Sequence, residues 1–191
     1  MLKIKATPKY GYHFECWKED GDTLNARALT LERVTLLTAV FVPNKYNIEL
    51  KSKDEKYGNL IGGGTFDYNT TNTITVEEND DYLFLGWSDG DINNPRKVKL
   101  VQDTTFVALF VKKFNDLKVE SNNVEWGIVS GSGSVKYSNT VKISATANAH
   151  YHFMSWNDGV KESSRQITVV SDTAFVATFA IDSFNLEIVS N

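Results

Sequence analysis

The sequence predicts an all-β protein built from tandem copies of one small β-sheet module. Three observations carry this reading. First, a motif of the form aromatic-x-Phe-x-x-Trp occurs three times, as Tyr12–Trp17, Tyr82–Trp87 and Tyr151–Trp156, each followed by an Asp-Gly pair at Asp20-Gly21, Asp89-Gly90 or Asp158-Gly159. Second, the Asp-Gly pairs are 69 residues apart both times, and Arg27, Arg96 and Arg165 keep the same spacing, as do the Ala-x-Phe pairs Ala39/Phe41, Ala108/Phe110 and Ala177/Phe179. A fixed period of this length marks repeated supersecondary units. Third, apolar residues alternate with polar ones, β-branched and aromatic residues dominate, and turn residues interrupt every eight to twelve positions or so, the pattern of short strands.

The second copy shows the predicted elements in order. Tyr46, Ile48 and Leu50 alternate with polar residues as a half-buried first strand. Asn59 to Ile61 form a short second strand between glycines, and Gly62-Gly63-Gly64 makes a turn. Thr73 to Val76 give a third strand, matched by Val141 to Ala145, and Tyr82 to Trp87 a fourth. After the loop from Asp89 to Pro95, Lys97 to Val101 form a fifth strand, and Phe106, Ala108 and Phe110 define a sixth. No segment has a clear helical period. Leu24 to Leu37 reads as two strands, because its counterparts are rich in Val, Thr and Phe.

The period divides the chain into an incomplete first repeat over 1–43 (strands three to six), a second over 46–112, a third over 115–180, and the first strand of a further copy over 184–191. Periodicity leaves the phase of the unit open, and an alternative division runs 1–65, 70–134 and 139–191. The joints Pro43-Asn44-Lys45, Lys112-Lys113 and Ile181-Asp182-Ser183 are short, which predicts an elongated, fairly stiff row of modules roughly 80 Å long. The missing early strands of the first copy predict an open sheet edge. Phe184 to Val189 are then expected to exchange into such an edge on another copy. Both ends suggest a piece of a longer repetitive protein.

Composition narrows the function classes. A net charge of −4 without a basic stripe argues against a nucleic-acid surface. The longest apolar runs are single strands, far short of the roughly 20 residues of a membrane-spanning helix, so no membrane insertion is expected in this segment. Cys16 is the only cysteine, which excludes an intrachain disulfide. Gly86 and Ser155 stand in its place elsewhere, so the position calls for a small residue rather than a thiol.

The repeated residues are read as those every copy needs to fold: Phe14, Trp17, Asp20 and Arg27; Phe84, Trp87, Asp89 and Arg96; Phe153, Trp156, Asp158 and Arg165. Phe and Trp are three apart and would face opposite sides of a regular strand. Either a bulge near Cys16, Gly86 and Ser155 turns both inward, or one aromatic is left exposed for a partner. Each Arg is expected to stack on the Trp or pair with the Asp.

Candidate chemistry is sparse. His13 and His152 match each other but Leu83 stands between them, and His150 has no histidine counterpart, so no Ser-His-Asp or Cys-His constellation emerges. Asp89 to Asn93 resemble the start of a calcium loop, yet Asn94 and Leu100 occupy the positions that need Gly and Glu. Glu77, Glu78, Asp80 and Asp81 form an acidic cluster of the kind that is normally a solvated loop. No catalytic, cofactor-binding or metal-ligating residue is therefore assigned, and no enzyme activity is expected.

Glycine-bounded strands, aromatic-x-Phe-x-x-Trp, Asp-Gly, a later Arg and a closing Ala-x-Phe, in this order and three times over, resemble the divergent branch of the internalin-type B repeat, also called the Listeria–Bacteroides repeat. The resemblance covers nearly the whole chain. It implies a β-grasp-like module and a place in a secreted or cell-surface bacterial protein. It also implies a non-catalytic stalk or spacer. Two alternatives are an adhesin whose modules bind host protein or glycan, and an accessory region of a surface enzyme.

Overall fold

The computed structural model describes residues 1–189, which form eighteen strands and one 3-10 turn at Glu55–Tyr57, with no α-helix among them. The first copy supplies β1 (Leu2–Lys5), β2 (Tyr12–Trp17), β3 (Ala26–Leu29) and β4 (Ala39–Pro43). The second supplies β5 (Lys45–Ser52), β6 (Gly58–Ile61), β7 (Gly64–Asp67), β8 (Thr71–Glu78), β9 (Tyr82–Trp87), β10 (Arg96–Lys99) and β11 (Thr104–Lys112). The third repeats that set as β12 (Phe114–Ser121), β13 (Gly127–Ser130), β14 (Gly133–Lys136), β15 (Thr140–Ala147), β16 (Tyr151–Trp156), β17 (Ser164–Thr168) and β18 (Thr173–Ile181).

The second and third copies each form two sheets. A four-stranded sheet has the order β7-β5-β11-β9, or β14-β12-β18-β16, and a three-stranded one the order β10-β8-β6, or β13-β15-β17. The first and last strands of each copy pair in parallel, with Ile48 opposite Thr104 and Leu117 opposite Thr173. Parallel pairing requires a long crossover, and here the intervening strands of the same copy provide it. Apolar side chains from both sheets fill the space between them. One core gathers Ile48, Ile74, Trp87, Leu100 and Phe106, and the other Leu117, Ile143, Trp156, Val169 and Phe179. The first copy has only the pairs β1-β3 and β2-β4.

Two expectations change on folding. The glycine-rich turn is followed by a further strand, β7 or β14, which pairs antiparallel with the first strand of its copy. Its four residues begin with a glycine and carry too little apolar alternation to stand out. In the segment Leu24 to Leu37, only Ala26–Leu29 forms a strand, and residues 31–38 adopt none. Their counterparts at the start of β11 and β18 are held by the parallel first strand, which the first copy lacks.

Glycine is demanded at two repeated positions. Gly62 and Gly131 take φ of 99° and 112°, and a Cβ there would run into the carbonyl oxygen of Thr73 or Lys142. Gly58 and Gly127 lie against the rings of Phe110 and Phe179, where a Cβ has no room.

The chain divides into two compact units, one of Met1–Asn79 with Phe84–Phe110, the other of Asp80–Leu83 with the chain from Val111 onward. Within the first unit the first two copies meet through tyrosines. Tyr68 makes edge contacts with Tyr10, Tyr12 and Tyr46 at centroid distances of 5.7, 5.6 and 6.3 Å, and its ring covers Gly11. The joint residue Asn44 donates its N–H to Gly11 (2.8 Å) and accepts from Tyr68 N–H (2.7 Å). Residues 184–189 form no strand and are exposed, while Ser190 and Asn191, the end of the expected 184–191 strand, lie outside the described residues.

Candidate functional site

Each copy builds one cluster of charged and aromatic side chains around its Trp, and the local backbone dictates the arrangement. In β2 and β16 the ladder slips by one residue between Phe14 and Cys16 and between Phe153 and Ser155. The bulge turns Phe and Trp to the same side. Their rings then touch, with centroids 5.5 Å apart for Phe14–Trp17, 5.5 Å for Phe84–Trp87 and 5.6 Å for Phe153–Trp156. Trp17, Trp87 and Trp156 are buried and the phenylalanines half-buried. A small residue at Cys16, Gly86 and Ser155 suits the bulge.

After each Trp the chain reverses at Asp-Gly, with Gly21, Gly90 and Gly159 at φ of 71°, 89° and 85°. The Gly N–H donates back to the Trp carbonyl at 2.8, 2.9 and 2.9 Å. The loop then passes over the indole, whose N–H donates to the carbonyl of Leu24 (2.9 Å), Asn93 (3.2 Å) or Glu162 (2.9 Å). Its far end is tied to the three-stranded sheet. Ala6 and Ala145 donate N–H groups to the carbonyls of Asn25 and Ser163, and Val76 donates to Asn94 Oδ1.

The Arg completes the lock. Arg27 donates to Asp20 Oδ2 (2.6 Å) and Asp22 Oδ2 (2.8 Å). Arg96 grips both oxygens of Asp89 (2.9 and 2.7 Å) and places Nε 3.0 Å from Asp91. Arg165 donates to Asp158 Oδ2 (2.6 Å) alone, because Val160 replaces the second carboxylate. The guanidinium carbons also lie over aromatic rings: Arg27 is 5.2 Å from Trp17, Arg96 4.6 Å from Phe106, and Arg165 5.6 Å from Trp156 and 4.8 Å from Phe175. Both expected partners of each Arg are thus engaged at once. The aromatic faces take the place of water for guanidinium N–H groups that are buried without a hydrogen bond, Nε and Nη2 of Arg27 and Nε of Arg165.

The electrostatics follow from this geometry. The Arg27 and Arg96 hydrogen bonds hold the Asp20 and Asp89 carboxyls below their ordinary range, with backbone N–H groups adding to the effect. Burial pushes Asp158 upward, but the Arg165 hydrogen bond and the Val160 N–H outweigh it and leave it lowered. The same Asp contacts raise Arg27 and Arg96 above their usual value.

The other candidates are dispersed. His13 and His152 Nδ1 hydrogen-bond Asn44 Oδ1 (2.8 Å) and Asp182 Oδ1 (2.9 Å) at the copy ends, and His150 sits at a turn with φ of 72°. In the acidic cluster Glu78 accepts the Phe84 N–H (2.9 Å) and Glu77 accepts from Asn59 (3.3 Å). In the loop that resembles a calcium site, Asp89 and Asp91 already face the Arg96 cation. No grouping of three or more His, Cys, Asp or Glu suited to a metal ion occurs among the described residues, and no helix there is long and apolar enough to cross a membrane.

Two repeated features escaped the sequence reading. Asp22 and Asp91 supply the second carboxylate to their Arg. Asp103 and Asp172 accept the backbone N–H of Asn47 (2.7 Å) and Asp116 (3.1 Å), fastening the start of the last strand to the first. Both pairs keep the 69-residue spacing, which was the available signal.

A family model described as "Divergent InlB B-repeat domain" matches residues 1–45, 48–113 and 117–183. No curated protein matches the chain.

Proposed function

Because this chain belongs to the divergent InlB B-repeat family, a family of bacterial surface proteins, we propose that it is a non-catalytic stretch of repeats. It serves as a spacer that holds another part of a surface protein away from the envelope. The observation that carries this reading is the closed Trp–Asp–Arg cluster. The charged side chains that recur in every copy are engaged with one another and with aromatic rings, so they serve folding in each copy rather than presenting a reactive group. Support also comes from the first joint, where Asn44 uses both its N–H and its carbonyl in backbone hydrogen bonds to the two flanking copies. Such a joint has little slack.

The test is a display experiment. An epitope tag carried on a bacterial surface beyond these repeats should bind antibody better than the same tag on a flexible linker of equal residue number. The repeats themselves should bind neither host cells nor a glycan array. Equal tag access would sink the spacer reading, and specific host or glycan binding would replace it with the adhesin one.

A further inference from the structure

We propose that residues 184–189 of one copy of this chain form the first strand of the incomplete first repeat in a second copy, lying parallel beside Thr35–Thr38. The starting point is a difference in length. The last strands β11 and β18 have nine residues each, but β4 has five. The four absent positions, Thr35 to Thr38, correspond at the 69-residue spacing to Thr104–Val107 and Thr173–Val176. Those are the positions that pair in parallel with β5 and β12. In the first repeat no such partner is present, and the stretch is left outside any strand with Leu36 79% exposed.

The matching strand exists elsewhere in the chain. Leu186 and Ile188 stand 69 residues beyond Leu117 and Val119, and 138 beyond Ile48 and Leu50. Ile48 and Leu117 are among the most buried residues of their cores, whereas Leu186 is 85% exposed. One segment thus lacks a sheet and one sheet lacks that segment. The two known registers fix the third: Leu186 opposite Thr35, Glu187 opposite Leu36, Ile188 opposite Leu37 and Val189 opposite Thr38. Strand addition of this kind gains ladder hydrogen bonds and buries alternate side chains together. A neighbouring copy is the occupant because the tether is short. Asp182 is fixed to the His150 carbonyl, which leaves Ser183 to Asn185 before Leu186, a reach of roughly 14 Å at most. The contact is heterologous, so a bound copy still offers its own segment and its own open edge.

One residue makes the acceptor imperfect. Asp103 and Asp172 accept the first-strand N–H groups of Asn47 and Asp116. The residue 69 positions before Asp103 is Val34, and the incoming N–H would belong to Asn185. Val34→Asp restores the missing acceptor and removes an exposed apolar side chain.

The experiment is sedimentation of the full chain over a wide concentration range, with hydrogen exchange at Thr35–Thr38. The mean mass should rise with concentration. The L186K/I188K double variant should stay monomeric with unchanged thermal unfolding, since both side chains are exposed in the single chain. V34D should move association to concentrations several-fold lower, whereas non-specific apolar clustering would weaken. Amides of 35–38 should slow only in the associated state. The proposal is overturned by any of three results: wild type and V34D both monomeric throughout, association indifferent to L186K/I188K, or 35–38 protected in the monomer, which would place the strand in its own chain.

Discussion

Trp87 is 1% exposed, packs on Phe84 and Phe106, and donates its indole N–H to Asn93. Trp87→Ala removes that filling and should cost about 3–5 kcal/mol in denaturant or thermal unfolding. An unchanged transition would mean that the ring is not core. The Asp–Arg pair beside it makes a different prediction, about pH. In the folded protein Asp89 titrates below its ordinary value of 3.8 because Arg96 hydrogen-bonds it. Between that lowered value and 3.8 the folded state therefore holds fewer protons than the unfolded one, and stability rises with pH. The contribution is complete above 3.8 and is lost as pH falls through the folded value. Asp89→Asn should lower the melting temperature near neutrality and shrink the loss seen on acidification. A loss of the same size in the variant would show that this pair does not titrate with folding. The repeated Trp, Asp and Arg were visible from spacing alone. That the Arg sits on a ring while it grips the carboxylate was not, because Phe106 and Phe175 reach it from another strand.

At the scale of the element, the glycines that bound the second strand set how closely the two sheets approach. Gly127 lies against Phe179, which is 1% exposed. Gly127→Ala forces that ring to move, and overpacking of this kind costs about 1–3 kcal/mol. A melting curve identical to wild type would mean that the sheets can separate without loss. Phe41 shows the converse. It occupies the position of Phe179 in the first copy, where no glycine-led strand covers it, and it is 37% exposed. The strands with β-branched and aromatic alternation were readable from the sequence. The short strands Gly64–Asp67 and Gly133–Lys136 were not, since pairing with a neighbour rather than their own pattern makes them strands. Residues 31–38 fail in the opposite way. They carry a strand-forming sequence but lack the parallel partner that would hold it.

For the whole molecule, repeats with near-identical patterns are not equally stable. In a repeat protein each unit draws stability from its own packing and from its neighbours. The first copy buries only Ala6 and Trp17 among its apolar residues, while the second and third have cores of eight and nine buried residues. Amides of β1–β4 should exchange markedly faster than those of β12–β18 in hydrogen-exchange measurements on dilute chain. Uniform protection would show that the contacts of Tyr68 with Tyr10 and Tyr12 compensate for the absent strands.

By itself, the sequence determined the repeat length, the all-β character and the signature residues, because alternation, turn chemistry and a fixed period are local properties of the chain. It also carried the resemblance to the B-repeat family, which the family comparison established. Only the tertiary structure decided that the first and last strands of a copy pair in parallel across the intervening strands. Only the structure showed the bulge that brings Phe and Trp to one face and the incomplete edge beside Thr35–Thr38. Each of these depends on which distant strands lie side by side, and a period records that residues are equivalent without recording what they touch.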